Sequence, residues 1–127
     1  NDHAEVLPWA DRLRDVPHLW GGGSAFGVDA GGLVHLVWRR FGVTLPRDPH
    51  DLAQAVMPLT PGEEKPGDLY FFGDGNVVNH VAFVAAPSEE ASVRPMLHAD
   101  DVSGRVVLED MPPARAATLM GVGRVRI

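Results

Sequence analysis

The chain has 127 residues, a hydrophobic fraction of 45% and a net charge of −6. That length supports one domain around one core, and the acidic balance argues against nucleic acid, whose phosphates are held by clustered Lys and Arg. There is no cysteine, which excludes disulfides and Cys-ligated metals, and no apolar run approaches the ~20 residues of a membrane-spanning helix.

Pro8 suits the first turn of a short helix that continues from Trp9 to Arg14, with Trp9 and Leu13 on one face. Pro17 and Gly21-Gly22-Gly23 end it. A second helix is predicted from about Asp29 to Phe41, because Leu33, Val34, Val37, Trp38 and Phe41 recur at helical spacing and Gly42 follows as a stop. Asp48-Pro49-His50-Asp51 opens a third, with Asp48 as cap and Leu52, Ala53 and Val56 as its apolar side.

From Pro58 onward, prolines and glycines mark loops, and strands are expected at Leu69–Phe72, His80–Ala85, Pro95–Ala99, Arg105–Glu109 and Met120–Arg126. Asp74-Gly75-Asn76 signals a turn, and Glu63-Glu64-Lys65 and Ser88-Glu89-Glu90 read as solvated loops. Helices first and strands afterwards imply an α+β domain with a mostly antiparallel sheet. Asn1 is not a natural start, so the single domain expected over residues 1–127 reads as a piece of a longer chain.

Residues 29 to 31 fall at the start of the second helix, where unpaired N–H groups and the positive dipole end favour an anion. A thiolate there would have a lowered pKa and be a good nucleophile. Position 30 holds alanine. His3, His35 and His50 read as solvated, Trp38 as core, and Arg47 and Asp48 as ties between a loop and a helix start. Gly21-Gly22-Gly23 lacks the lysine of a phosphate-binding loop.

Several segments, in order, resemble the NlpC-type cell-wall peptidases, a branch of the papain-like cysteine peptidases. Pro17-His18-Leu19-Trp20-Gly21-Gly22 is similar to the family's Pro-Tyr-x-Trp-Gly-Gly entry, and Phe26-Gly27-Val28-Asp29-Ala30-Gly31-Gly32-Leu33-Val34 to its Phe-Gly-x-Asp-Cys-Ser-Gly-Leu-Val motif. Leu45-Pro46-Arg47-Asp48, Pro66-Gly67-Asp68-Leu69, Asn79-His80-Val81 and Leu97-His98-Ala99 follow at familiar intervals.

The resemblance implies a papain-like fold, with N-terminal helices packed on the sheet, and a peptidase cutting peptidoglycan stems between D-glutamate and the next diamino acid. Position 30 would carry the nucleophile, His80 would be the general base and His98 would orient its ring. Asp29, Gly31, His18 and Trp20 would bind substrate, with Asp29 meeting a free amine. The implied partner is a stem peptide or muropeptide, the implied location is outside the cell or in the envelope of a bacterium, and no cofactor is called for. Further wall-binding domains would belong to the parent chain.

Three departures stand out: Ala30 for the family's Cys, Gly31 for its Ser and His18 for its Tyr. An alanine methyl cannot attack a carbonyl. Two readings follow: a peptidase rendered inactive by replacement of its nucleophile, or a natural pseudoenzyme that binds stem peptides. A zinc site built from His18, His80 and His98 is a third reading that the spacing does not demand.

Overall fold

The computed structural model describes residues 3–24, 26–85 and 94–127, so the loop reading of Ser88-Glu89-Glu90 lies outside the described residues. Helix α2 (Ala30–Arg39) forms where the apolar spacing predicts, capped by Asp29, with Leu33, Val34, Val37 and Trp38 buried. It ends before Phe41, and the chain turns away through Gly42 at φ 79°. Phe41 therefore leaves the expected buried face; it is exposed and meets Trp38 edge-on at 6.0 Å.

Helix α1 (Val6–Asp11) begins earlier than expected, after a 3-10 turn at His3–Glu5. Pro8 still falls in the first turn, where a backbone N–H has no helical partner to lose. A two-residue hairpin, β1 (Gly23–Ser24) and β2 (Gly27–Val28), precedes α2. Helix α3 (Pro49–Ala55) is capped by Asp48, as the sequence predicts.

The sheet contains β3 (Met57–Leu59), β4 (Leu69–Asp74), β5 (Val77–Val84), β6 (Pro95–Asp100), β7 (Arg105–Asp110) and β8 (Leu119–Arg124). Its order is β3-β8-β4-β5-β6-β7, and every pairing is antiparallel. The fold is thus α+β, with N-terminal helices on a six-stranded antiparallel sheet. Strand β3 carries Pro58, which argues against a strand in sequence; it sits at the sheet edge, where a missing N–H breaks no ladder. The short helix α4 (Pro113–Ala116), between β7 and β8, is also absent from the sequence reading.

Alternation along β4 splits the core. Leu69 and Phe71 join Leu33, Val34 and Val37 under the helices, while Tyr70 and Phe72 join Ala82, Met96 and Val122 in a second cluster. Both faces are covered, which is why this strand reads as an unbroken apolar run. Asp68, fully buried, accepts from Arg124 Nε at 2.9 Å and Nη2 at 2.8 Å, tying the start of β4 to the end of β8.

Candidate active site

One wall of the site is made by the start of α2. Asp29 Oδ1 accepts from the Gly32 N–H at 2.7 Å and Oδ2 from the Gly21 N–H at 2.9 Å. The carboxylate thus caps the helix and closes the glycine loop on it. Arg47 Nη2 donates to the Gly21 carbonyl at 2.7 Å, the tie its position suggests. Ala30 is buried in the first turn of the helix. At Gly31 a Cβ would lie 1.7 Å from the Arg47 carbonyl oxygen, and at Gly32 it would lie 2.0 Å from that of Gly22. Both glycines are fixed by close backbone approach, so the departure at position 31 is built into the path of the chain.

His18 and Trp20 stand at the rim of this wall, ring edge to face at 5.2 Å. Trp20 is 79% exposed, so it does not anchor the loop by packing. The bonds of Asp29 and Arg47 hold the loop instead. Trp38 is buried in the core as expected, and its Nε1 has no partner among the described residues.

The opposite wall is a row of side chains on neighbouring strands. His80 on β5 places Nε2 2.8 Å from Nδ1 of His98 on β6, and His98 Nε2 lies 2.7 Å from Glu109 Oε2 on β7. His98 is wholly buried and stands behind His80 rather than at the cleft surface. The register explains the reach: His98 opposes Val107, and Glu109 is the diagonal neighbour on the same face. His80 opposes Phe72, whose ring lies 5.7 Å from the imidazole.

The network assigns the protons. An ionised carboxylate only accepts, so His98 Nε2 donates to Glu109; neutral His98 then accepts at Nδ1, and His80 donates from Nε2. The free lone pair is on His80 Nδ1. Burial, then Arg115 and His98, push His80 down to about 3, and burial also lowers His98 despite the Glu109 bond. The row is therefore neutral imidazole at pH 7, the state a general base requires.

Glu109 and Arg115 were not singled out from sequence. Arg115, on α4, donates from Nη2 to Asp100 Oδ1 at 2.9 Å and Asp101 Oδ1 at 3.0 Å. Burial pushes the Asp100 carboxyl up, but the Ser103 N–H and Arg115 outweigh it and hold the group well below the usual carboxylate range. Nothing local marks either Glu109 or Arg115, since the residue opposite His98 is fixed only by the register.

A cleft of about 790 Å³ lies between the walls, lined by His18, Trp20, Asp29, Ala30, Gly31 and His80, with Arg47 and Arg115 among its other residues. Every candidate except His98 lines it. His3, His35 and His50, expected to be solvated, are half-buried pins bonded to Val125 O, Leu45 O and the Val78 N–H. Among the described residues, the donor atoms that gather within 4.8 Å belong to His98, Asp100 and Glu109, not to the trio of imidazoles. All three already have protein partners.

A helix start and a strand histidine thus line one cleft, with alanine at the first helical position. The chain belongs to the NlpC/P60 family, whose model matches residues 15–118. Members of this family act on peptidoglycan. It is 34% identical over 125 residues to the peptidoglycan endopeptidase RipB of Mycobacterium tuberculosis, a match covering 88% of this chain and 48% of that one.

A crystal structure of an NlpC/P60 family protein from Bacillus cereus superposes with a TM-score of 0.86 at 23% identity, over 98% of this chain and 40% of that one. RipD of Mycobacterium tuberculosis, described as a non-catalytic NlpC/p60 domain protein adapted to peptidoglycan binding, superposes with a TM-score of 0.75 at 20% identity, over 99% of both chains. The chain spans half or less of the length of the curated relatives it matches, from 19% to 48% in the first four. No helix among the described residues is long and apolar enough to cross a membrane.

Proposed function

We propose that this domain binds peptidoglycan stem peptides and releases them uncut. The observation that carries this is a methyl group at position 30, at the start of α2, in a cleft whose other parts are retained. Asp29 supplies a carboxylate to a free amine, and His18 and Trp20 supply a rim. The fit of Gly31 beneath the Arg47 carbonyl favours a natural binding module, since that residue is matched to its backbone surroundings rather than merely substituted. The description of RipD supplies a precedent on the same fold.

The intact His80–His98–Glu109 row favours a second reading, a γ-D-glutamyl peptidase that lost only its nucleophile. In that reading His80 Nδ1 takes the thiol proton and later protonates the leaving amine, while the N–H at position 30 holds the oxyanion. Both readings place the protein outside the cell or in a bacterial envelope.

The test is calorimetry with L-Ala-γ-D-Glu-L-Lys, followed by mass spectrometry of the recovered peptide. Saturable binding with the peptide intact is expected. Equal affinity for the N-acetylated peptide removes the role of Asp29, and absence of binding removes the proposal.

A further inference from the structure

Arg115 is mostly buried, with its side chain 20% exposed, yet it lines the cleft. Two aspartates hold it. Asp100 is buried, ionised and fixed in turn by the Ser103 N–H at 3.0 Å. Asp101 is about half exposed and bonds the same nitrogen, Nη2. Among the described residues no partner engages Nε or Nη1. A guanidinium presents five N–H donors in a rigid fork matched to carboxylate oxygens. Here one edge is anchored in protein and the remaining donors are left over beside His80.

Charge on the two walls is mixed: Asp29 and Arg47 lie on the helix wall, and Arg115 and Asp101 lie on the other. All four line one space of about 790 Å³, which is within the range that takes a small ligand of a few residues. A cleft with a carboxylate on one wall and a clamped guanidinium on the other suits a zwitterion.

We infer that Arg115 pairs with a carboxylate of the bound peptide, so that the site selects ionised stem peptides over amidated ones. This rests on the proposed stem-peptide binding and adds the charge state of the ligand to it. The carboxylate has two sources in a γ-linked stem: the C-terminus, and the α-carboxylate of D-glutamate. Asp101 bonds a different nitrogen but offsets part of the guanidinium charge, so the exposed aspartate tunes affinity.

The test uses the chain with Ala30, which permits binding to be measured without turnover. Calorimetry compares L-Ala-γ-D-Glu-L-Lys with its C-terminal amide and with the analogue carrying D-isoglutamine. One of the two amidations is expected to weaken binding roughly 10-fold or more, the effect of losing a charge-assisted bond, and which one does so identifies the source. Arg115→Gln is expected to abolish that discrimination and Arg115→Lys to keep part of it.

Because Gln leaves buried Asp100 short of a donor, Asp101→Asn is the companion variant. It removes the offsetting charge at an exposed position, and tighter binding of the carboxylate peptide with no change for the discriminated amide is expected. Equal affinity for all three peptides, or no response to Asp101→Asn, overturns the inference while leaving the binding function standing. If none of the three peptides binds, both fall together.

Discussion

The two walls of the cleft are built from different materials. The sheet wall is a row of side chains, buried His80 and His98 backed by half-buried Glu109, each on its own strand and each bonded to the next. The helix wall is mostly backbone: glycines 31 and 32 beneath carbonyl oxygens, and a loop held by Asp29 and Arg47. All the departures from the family motif lie on the helix wall, at Ala30, Gly31 and His18. A side chain at a helix start can be exchanged without disturbing strands across the cleft. A member of a hydrogen-bonded row cannot be, because its removal strands a buried polar partner. Chemistry can therefore be lost on one wall while the other stays intact.

Restoring the sulfur is the strongest probe of this asymmetry. Ala30→Cys places a thiol at the helix start, where the dipole favours thiolate, in the cleft that His80 also lines. If the helix wall lacks only that atom, γ-D-glutamyl peptides are cleaved, and His80→Ala in that background lowers the rate roughly 100-fold or more. Mass spectrometry of the incubated peptides reads the result. An alkylatable thiol that cleaves no stem peptide would mean that the helix wall has diverged further, and would favour the natural binding module.

Acid probes the sheet wall. His80 titrates near 6.5 when unfolded and at about 3 when folded. The unfolded chain therefore binds the extra proton first, and stability present above pH 6.5 is lost as pH falls through that window. This group alone contributes a slope of up to about 1.4 kcal/mol per pH unit, and His98 shifts in the same direction. Urea midpoints measured from pH 7 to pH 4 are expected to fall steeply, and His80→Gln to flatten the curve. An equally steep curve in the variant would locate the acid sensitivity elsewhere.

Gly31→Ser tests whether the helix wall is set by backbone contact. The added Cβ meets the Arg47 carbonyl oxygen, so a loss of about 1–3 kcal/mol is expected from overpacking. Unchanged thermal stability would show that the loop at Arg47 yields freely. Asp29→Asn should have the smallest effect on stability. Asn remains a good cap, but its one oxygen cannot accept from both Gly32 and Gly21, so a loss of about 1 kcal/mol accompanies weaker binding of amine-bearing peptides. Stability and affinity that both match the parent would detach Asp29 from either role.

Local patterns were enough for much of this protein. The spacing from Leu33 to Trp38 determined α2, Asp48-Pro49 determined the start of α3, and apolar runs located five strands of the sheet, because those signals act between residues a few positions apart. The ordered motifs identified the family, and they singled out position 30 and His80, which line one cleft. The sequence missed β3, because Pro58 forbids an interior strand but not an edge one, and it extended α2 to Phe41, because periodicity alone does not register where a chain turns away.

Tertiary structure decided the rest, and for one reason: it depends on strands and loops far apart in sequence coming together. Register brought Glu109 behind His98 and made a row of three from an expected pair. The close approach of the Arg47 carbonyl turned Gly31 from a missing hydroxyl into a packing requirement. The turn after Pro112 carried Arg115 to the cleft, where its charge acts on His80 and lies open to a ligand. No spacing within the chain encodes these approaches, since they exist only once the sheet has closed.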